Sequence, residues 1–320
     1  MCIETKMRWR SLSSAFYRGL ACGAALLLSA ASAQAEGTPI PHGTLELIAE
    51  SQWIEKRELA AGQKFDVGLR FQLEKGWHIY WVNPGDSGEP PRVEWRLPSG
   101  LTAGAVEWPT PRRLEGSSSI VDYGYEDAVL LIVPMHADPK LAAEQATQIG
   151  ADVKLLVCSH DMCIPGKAQL SLTLPIESHV SAPYSRYADL FAATRQSSPH
   201  PAPTTWRFSA ADLNDSFVLT ANFGHKITDH QITQAGFFPL AESQIENAAS
   251  QKLQPAAGGF QLTLRKSDRL LKPIARLKGV LVLSTDHSHA NHSHSDQAYL
   301  IDVPVSKAGA VRNNSGNGAH

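Results

Sequence analysis

In Val153-Lys154-Leu155-Leu156-Val157-Cys158-Ser159-His160-Asp161-Met162-Cys163-Ile164-Pro165, an alternating apolar run meets a short polar break. Val153, Leu155 and Val157 occupy every second position and lead directly into Cys158. Leu170, Leu172, Leu174 and Ile176 repeat the spacing beyond Cys163. A period of two marks a half-buried strand, so the segment reads as a hairpin whose tip brings both sulfurs into bonding range. The pattern recurs upstream. Phe65, Val67, Leu69, Phe71 and Leu73 alternate, and Trp77, Ile79 and Trp81 share one face while His78, Tyr80 and Val82 share the other. Asn83 to Pro91 is a dense turn signal, after which Val93, Trp95 and Leu97 restart a strand. Val129 to Val133 is an apolar run short enough for a buried strand. Strands at this spacing, separated by turn clusters, predict an all-β chain built on an antiparallel β-sandwich.

Further along, Tyr184 to Arg195 predicts the one clear helix, with Tyr184, Tyr187, Leu190 and Phe191 on one face. It runs into the proline-rich Ser197 to Pro203. Beyond it, Phe217 to Leu219, Phe260-Leu262-Leu264, Val280 to Leu283 and Tyr299-Ile301-Val303-Val305 again read as strands. The organisation expected is a sandwich over 36–180, a helix and linker over 181–204, a second, smaller β-rich domain over 205–306 and a disordered tail over 307–320. Residues 1–35 precede them as a secretory signal. Lys6, Arg8, Arg10 and Arg18 form a basic start, Leu20 to Ala31 is a short apolar core, and Ala33-Gln34-Ala35 fits a cleavage site. That apolar core is too short for a membrane anchor. The mature chain is therefore expected to be exported, to the periplasm, with no transmembrane span.

Composition narrows the chemistry. The 320 residues are 43% hydrophobic and 19% charged, enough to build real cores. Lys plus Arg number 29 against 31 Asp plus Glu, which gives no basic excess for nucleic acid or anionic lipid. Removing the signal leaves 25 against 30, a net of −5. There is no P-loop, dinucleotide glycine fingerprint or nucleophile elbow. Of four cysteines, Cys2 and Cys22 leave with the signal, so only Cys158 and Cys163 remain in an oxidising compartment. Three uses stay open. A structural disulfide closing so short a loop would contribute on the order of 2 kcal/mol. Thiolates with His160 and Met162 would suit Cu(I) or Zn. A redox pair would exchange bonds with a partner, one sulfur attacking and the other resolving the mixed disulfide.

Four motifs occur in order: Gly76-Trp77-His78-Ile79-Tyr80-Trp81-Val82-Asn83-Pro84-Gly85-Asp86-Ser87-Gly88, Val106-Glu107-Trp108-Pro109, Tyr123-Gly124-Tyr125-Glu126, and Cys158 to Pro165. From about Leu45 to Pro175 the chain resembles the N-terminal periplasmic domain of the DsbD family of thiol-disulfide reductases, ScsB-like members included. The resemblance implies an immunoglobulin-like sandwich with Cys158 and Cys163 as the catalytic pair, Cys163 meeting partners and Cys158 resolving. It implies a thioredoxin-fold or membrane-embedded thiol-disulfide partner and no cofactor. It also implies an aromatic cap over the cysteines, for which Tyr123, then Tyr125, are the candidates; ordinary strand aromatics would explain the same residues. Tyr80 is expected near the pair, and Trp77, Trp81, Trp95 and Trp108 in the core. No membrane-embedded or thioredoxin-like segment follows the match, so either a separate electron donor or a changed family role is expected.

His287, His289, His292 and His294 are the candidate metal ligands outside this region. Residues two apart in an extended chain point the same way, so each pair could chelate, and a plain polar loop is the other reading. Function thus divides between a thiol-disulfide relay, a periplasmic copper- or zinc-binding protein, and a non-catalytic interaction module with a static bridge.

Overall fold

The computed structural model describes residues 37–56, 64–115, 120–143, 145–178, 184–224, 232–285 and 295–307. The signal segment, the histidine run and the tail past Lys307 lie outside these. The described residues all fall in one compact unit. Its first strands are β1 (Thr38–Ile40), β2 (Gly43–Ala49), β3 (Ile54–Glu55), β4 (Lys64–Leu73), β5 (His78–Gly85) and β6 (Arg92–Arg96). There follow β7 (Leu101–Ala103), β8 (Arg112–Glu115), β9 (Val121–Glu126), β10 (Ala128–Ala137), β11 (Ala146–Cys158) and β12 (Cys163–Glu177).

These twelve make two sheets, one ordered β1-β2-β4-β10-β7 and the other β3-β12-β11-β5-β9-β8, with β6 also paired to β11. The predicted sandwich is what forms. Val67, Leu69 and Phe71 of β4, Val129, Leu131 and Val133 of β10, and Val153, Leu155 and Val157 of β11 meet in one core. Trp81 is fully enclosed there, while Trp77, Trp95 and Trp108 pack against its margin.

The α-helix is α1 (Ala188–Ser197), starting later than the expected Tyr184. Tyr184 instead makes a β-bridge to Ser51 and is exposed. Phe191 of α1 is buried against Ile48, Leu130 and Ile132 on the outer face of the five-stranded sheet. Arg195 fastens the helix to the sandwich, donating to both Glu50 carboxylate oxygens at 2.8 and 2.7 Å and to Asp66 Oδ2 at 2.5 Å. These carboxylates raise the already high guanidinium pKa further.

The later strands are β13 (His200–Pro201), β14 (Arg207–Asp212), β15 (Ser216–Asn222), β16 (Ile232–Pro239), β17 (Lys252–Ala256), β18 (Gly259–Arg265), β19 (Arg276–Thr285) and β20 (Ser295–Lys307). They form one eight-stranded sheet around their own core, which includes Phe217, Leu219, Leu262, Leu264, Leu277 and Leu281. The two β halves are not separate beads. Val280 and Ala298 belong to the sandwich core, with Phe238 and Val282 packed against it.

Candidate functional site

Strands β11 and β12 pair without interruption from Ala146↔Pro175 to Cys158↔Cys163. This register puts the cysteines opposite one another at the hairpin tip, where the Ser159 N–H donates to the Met162 carbonyl at 2.8 Å. The sulfurs are bonded at 2.03 Å, with Cα atoms 4.1 Å apart. Their surroundings differ sharply: Cys158 is 1% exposed, whereas Cys163 faces solvent. Met162 beside it is 56% exposed. His160 and Asp161 of the same loop hydrogen-bond each other at 3.0 Å, and both are open to water.

β5 lies alongside the tip. Its His78 pairs with Cys158 on one side and Glu126 of β9 on the other. Ile79 and Trp81 point into the sandwich core, so His78 and Tyr80 project from the opposite face, the one carrying the cysteines. The Tyr80 hydroxyl lies 3.6 Å from Cys163 Sγ and, against a bonded sulfur, it is the donor. Tyr80 has no exposure, and burial pushes its phenol up to about 12. The His78 ring meets the Tyr80 ring edge-on at 5.2 Å.

What covers Tyr80 is the stretch after β5. Pairing with β9 skips from Tyr80↔Gly124 to Gly85↔Asp122, a bulge that carries strand β5 into the expected turn. Asn83 Oδ1 accepts from the Gly85 N–H at 3.0 Å, and Gly88, at φ +79°, lies directly on the Tyr80 ring. Ser87 donates from N and Oγ to Asp122, whose carboxyl pKa is raised chiefly by burial. The second half of the chain braces this turn. Asn83 Nδ2 donates to the Pro239 carbonyl at 2.7 Å, and Asn247 Nδ2 donates to Asp86 Oδ1 at 2.8 Å.

The three tyrosines singled out from sequence therefore separate. Tyr80 touches the disulfide. Tyr123 and Tyr125 are on the core face of β9. Tyr123 donates to Asn247 Oδ1 at 2.8 Å and packs against Phe238 and Trp81, and Tyr125 donates to the Pro109 carbonyl at 2.7 Å. Burial raises both phenols above the ordinary tyrosine range. β5 supplies a neighbour the sequence had placed on the right face without assigning it a role. His78 Nε2 is enclosed and has no hydrogen-bond partner among the described residues, and burial lowers the imidazole pKa. Among the described residues no three His, Cys, Asp or Glu side chains cluster as metal ligands. The four candidate ligand histidines, His287, His289, His292 and His294, lie outside them. No helix of the described residues is long and apolar enough to cross a membrane.

Comparison with known proteins agrees with this geometry over the sandwich. The family described as thiol:disulfide interchange protein DsbD, N-terminal, matches residues 46–175. The crystal structure of the N-terminal periplasmic domain of ScsB from Proteus mirabilis superposes with a TM-score of 0.52 at 16% identity, covering 82% of this chain and 92% of that one. Three curated relatives carry the name ribosomal protein L11 methyltransferase. The one from Laribacter hongkongensis is 25% identical over 47% of this chain and 49% of its own. The one from Cupriavidus pinatubonensis is 26% identical over 61% and 63%. The chain thus spans about half to two-thirds the length of these curated relatives. The described fold, with sheets of mostly antiparallel strands and one α-helix, has no βαβ crossover of the kind that holds a nucleotide cofactor. Over residues 46–175, this chain is thus similar in sequence to the N-terminal domain of the DsbD thiol:disulfide interchange family, and it shares the fold of the ScsB N-terminal domain.

Proposed function

We propose that this protein is a periplasmic thiol-disulfide interchange protein that relays two electrons through a reversible Cys158–Cys163 disulfide. The observation that carries the reading is a disulfide with one cysteine exposed at a hairpin tip and the other buried beside it. Of the two residues Cys163 is the one at the surface, so in this reading it meets the partner and Cys158 resolves. In the reducing direction a donor thiolate attacks Cys163 Sγ. The Cys158–Cys163 bond breaks, and Cys158 leaves as a thiolate that takes up a proton. A second donor thiol then displaces Cys163, leaving the pair reduced and the donor oxidised. The reverse sequence reduces an acceptor disulfide.

Tyr80 and the turn over 83–88 serve as the shield, holding the inner side of Cys163 while its outer side stays open. Tyr123 supports that shield from the core through Asn247, which also donates to Asp86 of the turn. The donor in this reading is a thiol-disulfide partner of the kind the matched family implies.

Equilibrating the folded protein with defined dithiothreitol buffers and counting free thiols tests the reading. Two thiols should appear together. In Cys158→Ser, Cys163 should remain linked to a thioredoxin-fold partner as a mixed disulfide. A bond that stays oxidised in excess dithiothreitol until denaturant is added would overturn the proposal and leave a static bridge.

A further inference from the structure

The two sulfurs have different polar neighbours. Cys163 has the Tyr80 hydroxyl. Cys158 has His78, directly opposed in the β5–β11 register. Opposed residues of antiparallel strands project from the same face with Cβ atoms about 4.5–5.5 Å apart, within reach of an imidazole. His78 Nε2 is enclosed and unpartnered among the described residues, an unusual state for a buried polar atom. A group that becomes a hydrogen-bonding thiol only when the disulfide opens would be its missing partner.

We propose that His78 is a catalytic residue that carries the proton of the Cys158 thiol. The inference rests on the interchange reading above. In the mixed disulfide, Cys163 Sγ is bonded to the partner's sulfur and Cys158 is a thiol. His78 Nε2 takes the Cys158 proton as Cys158 Sγ attacks Cys163 Sγ. The Cys158–Cys163 bond forms and the bond from Cys163 to the partner breaks, its electron pair leaving on the partner's sulfur. The imidazolium then loses its proton to solvent, from which the departing thiolate is protonated. The pair is oxidised by two electrons and the partner is reduced by the same two. In the opposite direction His78 returns the proton to Cys158 as it leaves.

The other ionisable groups around His78 fit this work less well. Tyr80, two residues along the same strand, keeps its proton to about pH 12 and is a donor. Glu126, opposite on β9, is exposed, and His160 and Asp161 in the hairpin loop are paired with each other. Burial keeps the His78 imidazole neutral at pH 7 and able to accept.

The reduced full chain reacted with 5,5′-dithiobis(2-nitrobenzoate) separates the steps. Cys163 releases the first thionitrobenzoate and forms the adduct; Cys158 releases the second by closing the disulfide. His78→Gln should leave the first phase unchanged and slow the second by roughly 10²-fold, the usual contribution of general base catalysis. Its second phase should then climb tenfold per pH unit, tracking thiolate alone, whereas the parent's stays flatter around neutrality. An unchanged second phase in His78→Gln would refute the role. So would a parent profile that already climbs tenfold per unit, a result that needs no variant to fold. Absence of any second phase in the parent would instead sink the interchange reading.

Discussion

Replacing Gly88 by alanine asks whether the Tyr80 shield is set by backbone contact. Gly88 sits at φ +79°, and a methyl built on it collides with Cζ, Cε1 and Cε2 of the Tyr80 ring. Gly76 has nearly the same backbone, φ +84°, but nothing within 4 Å of the added methyl. Gly76→Ala therefore measures the left-handed backbone penalty alone, about 1–2 kcal/mol. Gly88→Ala adds overpacking against a ring with no exposure, a further 1–3 kcal/mol or so. The ring cannot yield inward, because His78 meets its edge and Cys163 lies at its hydroxyl. Urea denaturation of both variants with the disulfide intact gives the difference. Gly88→Ala should be the less stable by about 1–3 kcal/mol, and dithiothreitol should reduce its Cys163 bond faster than the parent's. Equal midpoints and equal reduction rates would show that the turn merely passes over Tyr80 without holding it.

Two further expectations follow from the brace and from His78. Asn247→Ala removes the acceptor for Tyr123 in a buried setting and the donor to Asp86 in a half-buried one, and should cost about 1–3 kcal/mol by chemical denaturation; a loss below about 0.5 kcal/mol would mean that water replaces both bonds. For His78, burial lowers the folded-state pKa, so between pH 7 and pH 5 the unfolded chain binds the proton more readily. Acidification over that window should therefore shrink the thermal-stability margin of the parent over His78→Gln, with Asp122 present in both and cancelling. A margin that widens on acidification would mean that folded His78 gains a proton partner.

The sandwich was legible because its strands bury one face. Val67, Leu69 and Phe71, or Val153, Leu155 and Val157, declare that face by alternation alone, and the cysteine hairpin follows from two such runs meeting a four-residue break. Alternation also separated His78 and Tyr80 from Ile79 and Trp81. It could not say which tyrosine would meet the sulfur. That depends on the β5–β9 register and the bulge after Tyr80, which place Gly124 opposite Tyr80 and send Tyr123 and Tyr125 to the core. The late start of α1 has a similar origin, since a tertiary bridge to Ser51 outweighs the helical spacing of Tyr184. Least legible was the brace. Asn247, Pro239 and Phe238 lie in a region without a motif, and their role exists only because distant strands dock there.

That docking bears on how a visitor is received. Because Asn83, Asp86 and Tyr123 are all tied to residues beyond position 235, the ledge beside Cys163 is stiffened from behind by half the molecule. Because that ledge is already ordered, little conformational entropy is lost in arranging it when a partner docks, so a small contact area can suffice. For the interchange protein proposed above, rigidity supplied from afar would make the fit of each partner at Cys163 strict.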